Sequence, residues 1–276
     1  MFTLNCKGRL LVIDKPLVMG IINVTPDSFY EESRQQSIDS VLQQVTKMLE
    51  EGADIIDVGG QSTRPGSERI SVDEELKRVI PVIESINKKF PDTIISIDTY
   101  QSKVAAACVD AGASVINDIS AGSMDEGMIE TVAKFKVPYI CMHMKGTPEN
   151  MQEKAEYENV TAEVLDFFIN KIDELKRAGI NDIIIDPGFG FAKNIKQNFK
   201  LLKELSAFKM LGKPILAGLS RKSTIYKTLG ITPEEALNGT TSLNTLALQN
   251  GANILRVHDV KDAKEAINLF IKYAEA

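Results

Sequence analysis

The chain reads as a (β/α)8 barrel with an N-terminal β-hairpin, and three observations predict that fold. Gly-Ala or a close variant recurs at Gly52-Ala53, Gly112-Ala113, Gly179-Ile180 and Gly251-Ala252, each closing an amphipathic helical stretch and opening a short β-branched run. Those glycines lie 60, 67 and 72 residues apart, about twice the length of one βα unit, so each interval must hold a further strand. The intervals do contain short apolar runs suited to those strands. Eight strands alternating with about eight helices in 276 residues is the usual size and order of a closed barrel. Four matched double units close more naturally than they stay open as a doubly wound sheet.

Residues 1–16 hold two β-prone runs split by Lys7-Gly8, a hairpin expected to close the barrel bottom. Residues 17–276 form the barrel, in one domain with the hairpin. Its strands are expected at 18–22, 55–58, 94–97, 115–117, 139–142, 183–186, 215–219 and 254–257. Ile183-Ile184-Ile185 has no polar alternation, as suits a strand buried on both faces, and Asp186-Pro187-Gly188 stops it abruptly. Insertions over a bare barrel fall at 25–36, 62–71 and 144–159. All three follow strands, so all three rise from the C-terminal face, where barrel enzymes keep their active sites. Met48, Leu49, Leu201, Leu202 and Leu205 lie at helical spacing and read as core. Glu74 and Arg78 are spaced for an i,i+4 pair on a solvated helix face.

Composition narrows the function. A net charge of -6 and a pI near 5.2 give no basic surface for a phosphate backbone, so nucleic acid is not an expected partner. Cys6, Cys108 and Cys141 are odd in number, far apart and without Cys-x-x-Cys spacing, which points to reduced core thiols and no zinc site. With no signal peptide and no apolar run long enough for a bilayer, the expectation is a cytoplasmic protein with no membrane partner.

Every strand delivers a polar or ionisable group to one rim. In order these are Asn23; Gln61-Ser62-Thr63-Arg64; Asp98-Thr99; Asn117-Asp118; Met142-His143-Met144; Asp186; Ser220-Arg221-Lys222-Ser223; and Arg256-Val257-His258. Helix capping would account for one or two of these groups, and eight of eight point to a site. Asp98, Asn117 and Asp186 suit a flat heterocycle displaying amino and N-H donors, with Met142, Phe189 and Phe191 as neutral walls. Arg64, Arg256 and His258, with Lys222 nearby, form a cationic half that suits a phosphate or diphosphate. The short helical stretch 224–229 would turn its N-terminus to a second anion. His143 is either packed or a ligand contact, Lys193 reads as a surface lysine, and Arg221 faces either solvent or a salt bridge.

The sequence resembles the dihydropteroate synthases. The likeness is carried by eight motifs in the family's order: Met19-Gly-Ile-Ile-Asn-Val-Thr-Pro-Asp-Ser-Phe29, Gly59-Gly-Gln-Ser-Thr-Arg-Pro-Gly66, Ser96-Ile-Asp-Thr99, Asn117-Asp-Ile-Ser120, Met142-His-Met-Lys-Gly-Thr147, Asp186-Pro-Gly-Phe-Gly-Phe191, Ser220-Arg-Lys-Ser223 and Arg256-Val-His-Asp259. The resemblance implies a pterin-binding barrel that joins 6-hydroxymethyl-7,8-dihydropterin diphosphate to p-aminobenzoate, releases pyrophosphate, and is a sulfonamide target. It implies that Asp98, Asn117, Asp186 and Lys222 hold the pterin edge and that Arg256 stacks on the ring. Asn23, Arg256 and His258 would take the diphosphate with Mg2+, Asn23 being the metal contact. Thr63 and Arg64 would lie in the second mobile loop, and Phe29, Pro65, Phe191 and Ser223 would bound the p-aminobenzoate pocket. A homodimer through the later helices is also implied.

Departures from the family pattern are few. Asp27-Ser-Phe-Tyr-Glu-Glu-Ser33 stands where the family usually reads Asp-Ser-Phe-Ser-Asp-Gly-Gly, so Glu31 is expected to supply the second acid that steadies the cation. Ala121 and Ala192 each replace a family glycine. The rival readings are the pterin-binding barrel of a corrinoid methyltransferase system and a non-catalytic pterin-binding paralogue. The former has no need of the Ser220 to Ser223 and Ser62 to Pro65 motifs, and the latter is favoured only by the altered first loop.

Overall fold

The computed structural model of the chain describes residues 1–24, 34–62 and 69–276. Two antiparallel strands, β1 (Phe2–Cys6) and β2 (Arg9–Ile13), open the chain and pair in register from Phe2 opposite Ile13 to Cys6 opposite Arg9. The barrel follows: β3 (Leu17–Asn23), α1 (Arg34–Glu50), β4 (Ile55–Gly59), α2 (Val72–Lys89), β5 (Ile94–Asp98), α3 (Ser102–Ala111), β6 (Val115–Asp118) and α4 (Met128–Phe135). It continues with β7 (Tyr139–Met142), α5 (Val160–Arg177), β8 (Ile183–Asp186), α6 (Ile195–Lys203), a 3-10 segment (Leu205–Leu211) and β9 (Leu216–Ala217). Helices α7 (Ser223–Leu229) and α8 (Leu237–Gln249), strand β10 (Ile254–Val257) and α9 (Val260–Glu275) complete it.

The eight barrel strands are all parallel, in the order β8-β7-β6-β5-β4-β3-β10-β9. A parallel bridge between Ile185 in β8 and Ile215, just before β9, joins the two ends of that order and closes the barrel. The Ile185 amide also donates to the Pro214 carbonyl at 3.0 Å. The four glycines that mark the αβ turns all take positive φ, from +87° to +131°, as helix ends that re-enter a strand require.

Each strand alternates between two cores. One set of side chains faces the helices and belongs to the large outer core, among them Val18, Ile56, Ile97, Ile116, Cys141, Ile185 and Leu255. The other set faces inward. Its lower layer is Met19, Ile55, Val115, Ile140, Ile184, Leu216 and Ile254, sealed from below by Leu4, Cys6, Leu11 and Ile13 of the hairpin. The hairpin therefore plugs the bottom, and its buried positions alternate with exposed ones as one solvated face demands.

Several expectations need correction in detail. The first insertion ends earlier than expected, because α1 already begins at Arg34. The seventh barrel strand spans only two residues, and the wider 215–219 run does not hold. Pairing stops just before Gly218, which lies beside the site: a β-carbon there would stand 3.6 Å from Lys222 Nζ and 4.0 Å from Asp186 Oδ2, ordinary contact distances. Glu74 and Arg78 do pair, at 3.0 Å, but Arg78 also donates to the Gly60 carbonyl, and Glu75 beside them is buried, taking a hydrogen bond from Gln101. Of the five residues read as core, Met48, Leu201, Leu202 and Leu205 are buried and Leu49 packs partly against them.

Candidate active site

One step up the inward face of each strand, the apolar layer gives way to a mostly polar one. Ile55 is followed by Asp57, Ile94 by Ser96 and then Asp98, Val115 by Asn117, Ile184 by Asp186 and Ile254 by Arg256. Because inward positions recur every second residue, these groups converge on the barrel axis at its C-terminal mouth. Asp118, the outward neighbour of Asn117, leaves the site. It accepts from the Ser120 and Gly122 amides, the Ser120 hydroxyl and the Tyr139 hydroxyl, and so organises the 119–123 turn.

Arg256 ties this layer together. Its Nε donates to Asp57 Oδ2 at 2.7 Å and its Nη2 to Asp98 Oδ2 at 2.5 Å. Asn117 Nδ2 donates to the same Asp57 oxygen at 3.2 Å. Asp57 is fully buried, and its other oxygen, together with Asp98 Oδ1 and Ser96 Oγ, lacks a partner among the described residues. Burial is the largest influence on Asp98, outweighs the attraction of Arg256, and raises its carboxyl to about 7, with Asp57 adding repulsion. Arg256 is held firmly protonated by Asp57 and Asp98 against the cost of burial. Asp57 was not among the sequence-derived candidates. The available signal was a lone acid within the apolar run Ile55–Gly59, on the inward parity.

Lys222 lies opposite, at the N-cap of α7, with Ser223 opening that helix. Its Nζ donates to the Phe189 carbonyl at 2.5 Å and stands 4.8 Å over the Phe191 ring. Burial lowers its pKa to about 8, against the pull of Asp186. Asp186 accepts from the Gly188 amide at 2.8 Å, which fixes one oxygen. Met142, Tyr100 and Ile119 form a small apolar cluster with Met124, Met144 and Phe191 packed on it, a neutral wall beside the polar layer.

Asn23 ends β3 with its side chain exposed at the rim. His258 is also exposed, and its Nδ1 lies 3.0 Å from Ser220 Oγ. Arg221 proves to be salt-bridged, gripping Asp259 through Nε and Nη2 at 2.9 Å each. His143 is packed: it is buried, meets Phe167 edge-on at 4.9 Å, and burial lowers its pKa to about 2. Lys193 is not a surface lysine, since only 2% of it is exposed. Phe29, Glu31, Thr63, Arg64 and Pro65 lie outside the described residues. The 63–68 segment is nonetheless flanked by fixed groups: Gln61 donates to the Tyr100 hydroxyl at 2.6 Å and accepts from the Ile70 amide at 3.4 Å.

The site thus brings buried acceptors and the cations Arg256 and Lys222 together, with an apolar wall beside them. No helix among the described residues is long and apolar enough to cross a membrane. The family described as pterin binding enzyme matches residues 19–258. The chain is 43% identical over 268 residues to the dihydropteroate synthase of Escherichia coli K12, covering 96% of this chain and 94% of that one. Among solved structures, the Xanthomonas albilineans dihydropteroate synthase with 4-aminobenzoic acid superposes with a TM-score of 0.92 and 41% identity, over 99% of this chain and 98% of that one. The Yersinia pestis enzyme in complex with a sulfonamide drug does so with a TM-score of 0.93 and 40% identity, over the whole of both.

Proposed function

The chain belongs to the dihydropteroate synthase family of pterin-binding enzymes, and from that premise we propose that it condenses 6-hydroxymethyl-7,8-dihydropterin diphosphate with p-aminobenzoate to give 7,8-dihydropteroate and pyrophosphate. Family membership makes it a transferase of alkyl groups. The observation that carries the substrate reading is the inward polar layer: buried Asp98, Asn117 and Asp186 beside the cations Lys222 and Arg256. The neighbour solved with 4-aminobenzoic acid supports the amine as the second substrate.

In this reading the acceptors of Asp98, Asn117 and Asp186 take the N-H donors of the pterin edge, Lys222 completes that edge, and the Arg256 guanidinium lies on the ring. The bond from the exocyclic carbon to the diphosphate breaks with its electron pair leaving on pyrophosphate, and the cation spreads into the pterin. Arg256 and His258 face the departing charge. The amine nitrogen, held near Phe29, Pro65, Phe191 and Ser223, then attacks the carbon, and the proton it gives up passes to water. Thr63, Arg64 and Glu31 would exclude water and steady the cation from the two rim loops. No side chain acts as a nucleophile, so positioning and electrostatic stabilisation supply the rate.

Magnesium fits this donor set only together with substrate. Among the described residues no three His, Cys, Asp or Glu side chains are grouped to hold a metal, and Asn23 offers a single amide oxygen at the open rim. Mg2+ commonly takes few protein oxygens and completes its shell with water and phosphate. When bound it would neutralise charge on the leaving pyrophosphate.

Two further assignments belong with this reading. A homodimer through α8 and α9 is supported by a groove of about 420 Å³ between them, where Leu269 and Tyr273 are 73% and 72% exposed. Three free, buried cysteines suit the reducing cytoplasm. Neither rival reading is favoured, because the relatives that span the chain are synthases. The test is pyrophosphate release with dihydropterin diphosphate and Mg2+, with and without p-aminobenzoate. Stoichiometric dihydropteroate is expected; pterin binding without either product would turn the assignment to a pterin-binding module. Sedimentation of the purified chain tests the dimer, and a monomer at micromolar concentration would remove it.

A further inference from the structure

Lys193 is a buried amine, and among the described residues no carboxylate lies within hydrogen-bonding distance of it. Its Nζ lies 3.0 Å from the Phe191 carbonyl oxygen, 3.1 Å from that of Gly188, 3.3 Å from that of His143, and 3.0 Å from His143 Nδ1. Taking an ammonium out of water is costly unless its donors are met, and these acceptors meet them all. Burial and the neighbouring Lys193 and Lys145 keep the imidazole neutral, and in the tautomer protonated at Nε2 its Nδ1 accepts from Lys193.

The loop is wound around that charge. Gly188, Gly190 and Ala192 take φ of +74°, +81° and +49°, so left-handed residues alternate with ordinary ones across the turn. This winding points the carbonyls of 188 and 191 at Lys193, while that of Phe189 goes to Lys222 at 2.5 Å. Converging carbonyl dipoles repel one another unless a cation lies between them. The approach to β7 is close: a β-carbon on Gly188 would stand 2.1 Å from the His143 carbonyl oxygen. From the other side Asn198 accepts from the Gly190 amide at 2.7 Å. Burial lowers the Lys193 pKa to about 7, with Asp186 raising it and Lys222 and Lys145 lowering it further, so the three carbonyls and His143 Nδ1 are what hold the protonated form in place.

We propose that Lys193 is a positioning residue for the condensation: its ammonium templates the 187–192 loop from within, and thereby sets the Phe191 ring and the Phe189 carbonyl that anchors Lys222. The proposal rests on the synthase reading above, because Phe191 walls the p-aminobenzoate pocket and Lys222 holds the pterin edge only in that reading. Phe191 stands directly on the clamped loop, so the amine site should feel the loss of the charge more than the pterin site does.

Lys193→Met keeps the stem and removes the ammonium. Two measurements on the full chain test it. Amide hydrogen exchange on the ligand-free protein should quicken by about tenfold across residues 187–192 while β8 stays protected. The KM for p-aminobenzoate should rise about tenfold and that for dihydropterin diphosphate far less, since a small misplacement of a positioning wall acts on the substrate it touches. A purely structural lysine would lower the yield of active protein, and hence kcat, with KM unchanged. Unaltered loop exchange, or a KM for p-aminobenzoate within twofold of wild type, overturns the proposal. If Lys193→Met is recovered unfolded, Lys193→Gln, whose amide still reaches two of the carbonyls, is read by the same two criteria. Wild-type chain that makes no dihydropteroate removes the synthase reading and the positioning role with it, while the exchange result still judges the clamp.

Discussion

At the scale of single residues, the centre of the site is a shared guanidinium. Arg256 has two carboxylate partners, and in the proposed pterin-binding role only one of them, Asp98, meets the ligand. When the ligand takes Asp98, Asp57 is left to keep the guanidinium in place. Asp57→Asn weakens a charge-assisted hydrogen bond of about 1.5–3 kcal/mol, so kcat/KM for the pterin substrate should drop about 10- to 100-fold. Stability should fall as well, because the variant breaks a buried ion pair with Arg256 and sets an amide NH2 where the carboxylate oxygen has no partner among the described residues. A large loss of Tm with unchanged kcat/KM would show that Asp57 serves the core instead. Asp98 sets a pH dependence. Its carboxyl, raised to about 7, must be ionised to accept from the pterin, so kcat/KM should fall about tenfold per pH unit below that value. A profile flat from pH 6 to 8 would contradict it. Stability runs the other way. The folded state keeps this proton up to about 7 while the unfolded chain releases it near 3.8. Asp98 therefore favours the fold at low pH and loses that contribution as pH rises between the two values. Asp98, Asn117 and Asp186 are legible from sequence because they stand at strand tips. Asp57 and Lys193 are harder to find, one lying inside a strand and the other in a loop with no periodicity.

At the scale of elements, the loops use conformations that their sequence does not favour. Ala121 and Ala192, where the resembling family has glycine, both keep a glycine-like backbone, with φ of +52° and +49°. An alanine in this region costs roughly 1–2 kcal/mol. Glycine would relieve that, but would add unfolded-chain freedom of about 0.4–1 kcal/mol and lose a buried methyl of about 0.8 kcal/mol. Ala192→Gly is therefore expected to lie within about 1 kcal/mol of wild type by urea melts. A loss well beyond that would show that the methyl packs more tightly than its burial suggests. Strand positions, by contrast, are set by buried β-branched runs and left-handed glycine turns, both local and both visible in sequence. Strand β9 departs from its expected length, its pairing ending at Ala217 just before Gly218 meets the site, and no local pattern in the 215–219 run marks that end.

For the molecule as a whole, the barrel separates what stabilises it from what reacts. Its inward face is apolar at the hairpin end and polar at the mouth, and the two layers are successive inward positions of the same strands. The closing bridge between Ile185 and Ile215 holds the ring of strands, so both layers share one frame. Sequence repeats disclose the number of strands, favour closure over an open sheet and show which end carries the polar groups, but the residues that pair to close the ring are too few to form a periodic signal. The separation makes a prediction. Ile13, 2% exposed, packs on the floor opposite the mouth. Ile13→Ala should cost about 2–5 kcal/mol, as buried truncations of this size do, and each kcal/mol should lower Tm by about 2–4 °C in a chain of this length. The KM for both substrates should stay near wild type, since no group of the polar layer has moved. Thermal melts with steady-state kinetics on the same preparation check both halves. If either KM rises severalfold while the protein remains folded, floor and mouth are mechanically coupled, and the barrel does not divide stability from chemistry in this way.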